Sequence, residues 1–155
     1  MPGKIDARLA ELGIALPEPA APAGAYVPYV VTGSLVFVAG QITLENGDIK
    51  YKGRLGESMG VDEGYAAARL CGLNLLAQVR GACAGDLDRV KRVVRLGGFV
   101  NSAAVFTDQA KVINGASDLM VEVFGDPGRH ARAAVGAPSL PLGVSVEVDG
   151  IFEIA

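Results

Sequence analysis

The longest periodic pattern of apolar positions in the chain runs over residues 62–83. Positions recur there at intervals of three or four, which places them along one side of a helix. The stripe carries Ala66, Leu70, Leu73, Ala77 and Arg80, with Leu76 and Cys83 beside it. The pattern predicts a long helix with an apolar face, ended by Gly85.

Two shorter segments show the same helical period. Near the N-terminus, residues 4–12 carry Ile5, Leu9 and Leu12 and predict a short amphipathic helix. A second helix is predicted to begin after Thr107 as N-cap and to end at the Gly-Asp-Pro-Gly segment of residues 125–128. Its apolar positions are Val112, Ala116, Leu119, Met120 and Val123.

Outside the helical segments, short runs are rich in β-branched and aromatic residues, which favours strands. Residues 29–32 and 35–39, joined by a Gly33-Ser34 turn, predict a β-hairpin, and Asn46-Gly47 marks a further turn. Residues 89–100, 132–137 and 144–154 predict three more strands. No internal repeat is present.

The predicted order of elements is two or three strands, a helix, a strand, a helix and two strands. This order favours an α+β fold in which a mixed sheet has both helices packed on one face. We divide the chain into an N-terminal helix and proline-rich arm, residues 1–24, and one compact domain, residues 25–155. The arm carries Pro17, Pro19 and Pro22, and its composition is too apolar for a free linker.

The composition of the 155-residue chain suggests that copies of it associate. Half of the residues are hydrophobic, 20% are charged and the mean hydropathy is +0.35. A small monomer does not need this much apolar material once its interior is filled. We therefore expect the sheet face away from the helices to be buried against other copies of the chain.

The charge of the chain excludes some partners. A net charge of -3 and a pI near 5.1 mean that the protein repels phosphate backbones and anionic lipid. No segment approaches the roughly 18 consecutive apolar residues of a membrane-spanning helix, and charged residues interrupt the N-terminus where a signal peptide is apolar. Neither nucleic acid nor membrane is expected as a partner, and a cytoplasmic location is predicted.

Residues that bind transition metals or act as nucleophiles are few. Cys71 and Cys83 fall about 120° apart on the long helix, so we interpret both as buried small hydrophobic residues that do not pair. His130 is the only histidine, and its surroundings match no nucleophile motif. We interpret it as a partly exposed loop residue that could rim a pocket beside Arg132. No metal site is predicted.

The most specific chemical pattern joins one arginine to one carboxylate near the C-terminus. Arg132 enters an apolar strand, and Glu147 lies inside the next strand between Val146 and Val148. A guanidinium offers planar bidentate donors to a substrate carboxylate and stays charged. A carboxylate in a cleft can hold or activate water. From these residues alone, a structural salt bridge is at least as good an interpretation.

Residues 132–149 read Arg, small residues, Val, then Leu-Pro and a Val-Glu strand, and in this order they resemble the signature of the RidA/YjgF family. Val27-Pro28-Tyr29 and residues 35–42 are similar to the Pro-Tyr and Ser-Gly-Gln-Ile segments of that family. Val112-Ile113-Asn114 is similar to its helix-borne asparagine. The resemblance covers residues 25–154, and the N-terminal helix and arm are an addition typical of a longer-chain branch.

The resemblance implies a chorismate-mutase-like fold, a homotrimer with clefts between subunits, and no metal or organic cofactor. It also implies hydrolysis of carboxylate-bearing enamine/imine intermediates of amino-acid metabolism to 2-keto acids and ammonia. Arg132 would bind the substrate carboxylate, and Glu147 would orient the attacking water. Lining residues carried over by position are Tyr29, Gly40 and Asn114, with Pro141 at the rim.

Three positions depart from the common family pattern and imply a less polar pocket. Ala39 stands where serine is frequent, Ala134 where cysteine is common, and Gly136 where many deaminating members have glutamate. Two other functions stay open: a non-catalytic trimer that binds small carboxylic acids through Arg132, and the endoribonuclease activity with which family members are often labelled. Against the latter stand the acidic charge, the single histidine and the lack of an aromatic platform.

Overall fold

The computed structural model describes residues 2–155, which form three α-helices and seven strands. The helices are α1 (Lys4–Glu11), α2 (Val61–Ala82) and α3 (Gln109–Phe124). The strands are β1 (Tyr29–Thr32), β2 (Leu35–Gln41), β3 (Leu44–Glu45), β4 (Asp48–Ile49), β5 (Val90–Asn101), β6 (Ala131–Ala137) and β7 (Val146–Ile154). Within residues 2–155 no helix combines the length and apolarity that crossing a bilayer requires.

Five strands form one mixed sheet in the order β1-β2-β7-β5-β6, and β3 pairs with β4 in a separate small hairpin. Neighbouring strands are antiparallel except for β5 and β6, which are parallel. The parallel pair is joined through α3, because parallel neighbours need a crossover connection. The predicted mixed α+β sheet is therefore confirmed, with β7 placed in its centre.

Helices α2 and α3 pack side by side on one face of this sheet, as predicted. Val146, Val148 and Phe152 of β7 point to that face and are fully buried. They share one core cluster with Leu75 of α2 and Ile113 of α3. The hydrophobic core therefore lies between the sheet and the helix pair.

Helix α2 is buried around most of its circumference, so the single predicted stripe was wrong in detail. Cys71 and Leu75 are fully buried, whereas Ala66 and Leu73 of that stripe are only partly buried. The reason is that α2 contacts the sheet on one side and α3 on another. A Cβ at Gly115 of α3 would overlap a backbone carbonyl of α2, so this glycine permits the close helix approach.

Helix α3 begins after Asp108, not after the predicted N-cap Thr107. The Asp108 side chain makes no capping hydrogen bond, so the helix starts without the side-chain cap that the sequence predicted. The predicted apolar positions of this helix are all buried. The helix ends at Gly125, whose φ of 68° is in the left-handed region.

Several hydrogen bonds attach the N-terminal segment to the domain. At α1, the Asp88 carboxylate accepts hydrogen bonds from the backbone N–H groups of Lys4 and Ile5, each at 2.8 Å. These bonds lower the pKa of Asp88. In the following arm, Gln78 Nε2 of α2 donates to the carbonyl of Ala20 at 2.9 Å. These bonds hold the segment against α2 and the start of β5.

No helix of residues 2–155 packs on the sheet face opposite α2 and α3. We call this the open face. The pairing of Val30 with Phe37 and of Phe37 with Ile151 puts these three residues on it. Val30 and Phe37 are 52% and 40% exposed. Glu147 belongs to the same face, because it alternates with the buried Val146 and Val148 along β7.

Candidate functional site

The residues singled out in the sequence form two groups on opposite sides of the sheet. One group surrounds Glu147 on the open face, and the other surrounds Arg132 beside α3. Arg132 lies opposite Leu96, which is fully buried in the core, so its side chain starts on the helix face. Within one chain the sheet therefore separates Arg132 from Glu147.

Glu147 lines a cavity of about 650 Å³ that we call the Glu147 cavity. Its lining is mostly apolar, and the proline-rich arm forms one side of it. The lining residues are Ala20, Ala21, Pro22, Ala23, Tyr26, Pro28, Ala39, Gly40, Gln41, Ile42, Leu44, Asn74, Pro141, Leu142 and Glu147. The structure thus brings together three predicted site residues, Gly40, Pro141 and Glu147.

A β-bulge places Gly40 beside the Glu147 carboxylate. The register of β2 against β7 shifts between Val38 and Gln41, which inserts one extra residue into β2. A Cβ built on Gly40 would overlap Glu147 Oε2 and lie 3.0 Å from Glu147 Cδ. Only glycine leaves the space that this carboxylate occupies.

The environment of Glu147 favours its protonated form. Burial raises the pKa of this carboxyl, and the nearby negative charge of Asp149 raises it further. Asp149 itself has a pKa raised by burial, although Arg95, whose Nη1 is 3.6 Å from Asp149 Oδ1, opposes the shift. Raising the pKa of a carboxyl makes its carboxylate a stronger base, which suits it to accepting a proton from water and returning it.

Arg132 is held against α3 by uncharged acceptors. Its Nη1 donates to Asn114 Oδ1 at 2.8 Å and to Ser117 Oγ at 3.1 Å. Its Nη2 has only a long 3.5 Å contact with the carbonyl of Ala110. No ion pair involves Arg132 among residues 2–155. The structural salt bridge with Glu147, left open from the sequence, is thus absent within the described chain, and the guanidinium keeps donors for an external anion.

His130 has a more defined environment than an exposed loop residue. Its Nδ1 lies 2.7 Å from the carbonyl of Gly128, and its Nε2 lies 2.8 Å from Ser117 Oγ. We call Asn114, Ser117, His130 and Arg132 the Arg132 cluster; it lines a shallow cleft of about 270 Å³. Nothing in the spacing of Ser117 and His130 signalled this contact, because it joins α3 to the segment before β6.

Tyr29 is not brought to either group. It pairs with Val38, which faces the helices, so its side chain points to the helix face. Its hydroxyl would lie 3.5 Å from a Cβ at Gly81 of α2. The aromatic ring that lines the Glu147 cavity belongs instead to Tyr26, which follows the arm.

The three departures from the family pattern occupy different places. Ala39 lines the Glu147 cavity, where it leaves an apolar surface. Ala134 packs against the core from β6. A Cβ at Gly136 would lie 2.6 Å from Ser102 Oγ and 2.9 Å from Gln109 Nε2, so a glutamate at this position would displace polar groups already present.

Other reactive groups do not add to the site. Cys71 is fully buried, its Sγ donates to the carbonyl of Val146 at 3.4 Å, and burial raises the pKa of the thiol. Cys83 is also buried and free. Residues 2–155 contain no group of three or more His, Cys, Asp or Glu side chains placed to hold a metal ion.

Comparison with known proteins identifies the family of the chain. Residues 6–153 match the protein family described as "YjgF/chorismate_mutase-like, putative endoribonuclease". The chain belongs to this YjgF/chorismate-mutase-like family. Protein TCP17 of Trypanosoma cruzi is 52% identical to it over 153 residues, which cover 98% of this chain and 95% of TCP17.

Two solved structures show that the fold extends over the whole length of the chain. Atu1372 of Agrobacterium tumefaciens, a protein of unknown function, is 49% identical with a TM-score of 0.91, covering 97% of this chain and 92% of Atu1372. A "putative endoribonuclease" from Shewanella oneidensis is 40% identical with a TM-score of 0.94, covering 98% of this chain and 100% of that protein. The YjgF-like, chorismate-mutase-like fold expected from the sequence is therefore confirmed.

Proposed function

We propose that this YjgF-family protein hydrolyses carboxylate-bearing enamine/imine intermediates to 2-keto acids and ammonia. The observation that carries the proposal is the presence of two complementary groups in one chain. One is a guanidinium without a carboxylate partner, and the other is a half-buried carboxyl with a raised pKa. The first suits the carboxylate of the substrate. The second suits the water that attacks the imine carbon.

The two groups lie on opposite faces of one sheet, so the proposed site needs two protomers. The open face offers apolar side chains for the contact, among them Val30, Phe37 and Val135, which are 52%, 40% and 47% exposed. We propose that this face packs against copies of the chain in a homotrimer. Each cleft would then join the Glu147 cavity of one protomer to the Arg132 cluster of its neighbour.

The chemistry requires no cofactor in this scheme. Glu147 as carboxylate accepts a proton from water while the oxygen of that water forms a bond to the carbon of the protonated imine. The resulting carbinolamine takes up that proton at nitrogen, which returns Glu147 to the carboxylate. The C–N bond then breaks and ammonia leaves, while Glu147 accepts the hydroxyl proton as the C=O bond forms. Ammonia takes this proton from Glu147 and departs as ammonium. Because the imine carbon is already electrophilic, a fixed carboxylate and one positioned water supply the main requirements.

The lining of the Glu147 cavity supports a substrate with an apolar side chain. Ala39, Pro141 and Leu142 present carbon atoms to the cavity, as do Ala23 of the arm and Tyr26 just after it. A substrate that buries apolar carbon here gains binding free energy in proportion to the area removed from water. We propose that such intermediates are formed and hydrolysed in the cytoplasm.

The test is keto-acid release from an imine generated in the cuvette by a dehydratase acting on serine or threonine. We expect wild-type protein to accelerate release. Arg132→Ala should reduce kcat/KM by roughly 10- to 150-fold, the value of a lost hydrogen bond to a charged group. Glu147→Gln, which keeps the shape and removes the base, should reduce kcat. Full activity in Arg132→Ala would exclude the proposed role of this residue.

A second candidate is binding of a carboxylic acid without turnover, and the hydrogen-bonded Arg132 cluster is the observation that favours it. In that case wild type would not accelerate keto-acid release, while 2-oxobutanoate would still bind and Arg132→Ala would not bind it. The "putative endoribonuclease" description of the family is tested by incubation with RNA. The net charge of -3 argues against RNA as a partner.

A further inference from the structure

The hydrogen bonds of the Arg132 cluster restrict the Arg132 side chain more than binding of a carboxylate requires. Arg132 lies on an edge strand and its side chain is only partly buried. A long side chain in that position has many rotamers available. Here both hydrogens of its Nη1 are directed to acceptors on α3, Asn114 Oδ1 at 2.8 Å and Ser117 Oγ at 3.1 Å.

The direction of the Ser117 hydroxyl follows from the tautomer of His130. The Gly128 carbonyl, 2.7 Å from Nδ1, can only accept, so Nδ1 carries the proton. Burial lowers the pKa of His130 and the charge of Arg132 also lowers it; the hydrogen bond to Gly128 opposes this, but the net decrease favours the neutral ring. Its Nε2 is then an acceptor at 2.8 Å from Ser117 Oγ, and the hydroxyl must donate to it.

This donation leaves the lone pairs of Ser117 Oγ for Arg132. In a helix, a serine hydroxyl otherwise donates back to the carbonyl four residues earlier or rotates freely. With its proton committed to His130, Ser117 can only accept from Arg132 Nη1. The chain of contacts therefore runs from the Gly128 carbonyl through His130 and Ser117 to the guanidinium, and each group has one defined role.

The charges around the cluster are consistent with an anion binding there. The cleft is lined by Arg129 and Arg132 and by a single acidic residue, Asp118. Asp118 accepts a hydrogen bond from Tyr65 Oη at 2.7 Å and makes no ion pair with either arginine in residues 2–155. The Nε–Nη2 edge of Arg132 remains without a short hydrogen bond, apart from the 3.5 Å contact to the Ala110 carbonyl.

We propose that Ser117 and His130 are positioning residues that fix Nη1 of Arg132 on α3 and leave the Nε–Nη2 edge of the guanidinium for the ligand carboxylate. This inference rests on the proposed function, since it takes Arg132 as the carboxylate-binding group. Neither residue contacts the reacting atoms in this scheme. Both act through the orientation of Arg132.

Kinetics of four variants test the inference. Ser117→Ala and His130→Leu should each raise KM for the imine and Kd for 2-oxobutanoate by roughly 3- to 10-fold, the effect of one lost hydrogen bond, with kcat retained. His130→Gln places an amide oxygen where it can accept from Ser117, and Ser117→Thr keeps the hydroxyl. Both conservative variants should recover most of the affinity. Ser34→Ala, an exposed serine in the β1–β2 turn, is the matched control.

A spectroscopic measurement tests the geometry independently of activity. His130 is the only histidine, so untagged protein labelled with ¹⁵N-histidine gives one pair of ring nitrogen signals. At neutral pH we expect Nδ1 protonated and Nε2 unprotonated, with the Nε2 signal shifted in Ser117→Ala. A ring protonated on Nε2 at neutral pH overturns the inference.

The outcomes separate the inference from the proposed function. If wild type neither hydrolyses imines nor binds 2-oxobutanoate, both are overturned. If wild type does either and Ser117→Ala and His130→Leu keep the same KM and Kd, only the positioning roles are overturned. A loss of kcat at unchanged KM also contradicts them, because it would place these residues in the chemical step.

Discussion

The separation of Arg132 and Glu147 by the sheet makes a quantitative prediction about mixed oligomers. Arg132→Ala keeps an intact Glu147, and Glu147→Gln keeps an intact Arg132. If each cleft takes one group from each of two neighbouring protomers, association of the two inactive variants should restore some complete clefts. In a homotrimer formed at random from equal amounts, about one quarter of the clefts carry both intact residues.

The assay is keto-acid release after the two variants are unfolded together, refolded and isolated as mixed oligomers. The expected activity is about one quarter of that of wild type refolded in the same way. Each variant treated alone is the control for residual activity. Light scattering on the same samples measures whether the chain forms the expected trimer.

A second mixture distinguishes a shared cleft from a site within one chain. Wild type mixed equally with the Arg132→Ala/Glu147→Gln double variant should also show about one quarter of full activity if clefts are shared, but about one half if each chain is complete. An inactive mixture of the single variants, together with the one-half value, would refute the reasoning from the two sheet faces.

Three contacts give further predictions. Gly40→Ala should lower kcat by up to about 100-fold through displacement of the Glu147 carboxylate, with little change in thermal unfolding. Asp149→Asn removes a negative charge that raises the pKa of Glu147, so the acidic limb of the kcat/KM profile should move to lower pH; an unmoved limb would exclude that coupling. Asp88→Ala should speed amide hydrogen exchange in residues 4–11, because it removes the acceptor for Lys4 and Ile5.

The Asp88 contact also has a defined pH dependence in wild type. The pKa of Asp88 is lower in the folded chain than the usual value of about 3.9. Its contribution to α1 docking is therefore fully present above that value and is lost as the pH falls through the lower, folded value. Protection of the amides of residues 4–11, taken relative to the intrinsic exchange rate at each pH, should decrease over that acidic range. Protection that stays constant as the pH falls would contradict this.

Matched variants control the predictions for the glycine and the carboxyl. Gly60→Ala introduces a Cβ that meets no atom within 4 Å, so it should leave kcat unchanged where Gly40→Ala lowers it. Glu153→Gln removes a carboxylate from the same face of β7 at the far end of the strand. It should not move the acidic limb that Asp149→Asn moves.

The sequence predicted the helices and strands of this fold better than the contacts that each of them makes. The hairpin, the three helices and the later strands are present because apolar period, glycine turns and proline breaks are local signals. The buried surface of α2 was predicted less well, since contacts with the sheet, α3 and the arm add to each other only in three dimensions. The N-cap at Asp108 lacks the hydrogen bond that would have marked it.

The sequence also predicted the location of some residues of the candidate site and not of others. The glycine at position 40 and the proline at position 141 lie with Glu147, in agreement with their expected neighbourhood. The family resemblance implies that Tyr29 lines the pocket, but strand alternation turns this residue to the helices. Tyr26 lines the cavity instead. Ser117 and His130 are 13 residues apart, and only the packing of α3 against the segment before β6 brings them together.

Strand alternation explains why a short signature can specify two half-sites without showing where they meet. Arg132 and Glu147 lie on β6 and β7, which are separated in the sheet by β5. Their pairing with Leu96 and Phe99, three residues apart on β5, puts them on opposite faces, because side chains change face with every residue. A shift of either strand by one residue would put both on one face and would also expose the core. The burial that fixes the register therefore also keeps the two groups apart in each chain, and an active site that uses both must be completed by a neighbouring protomer.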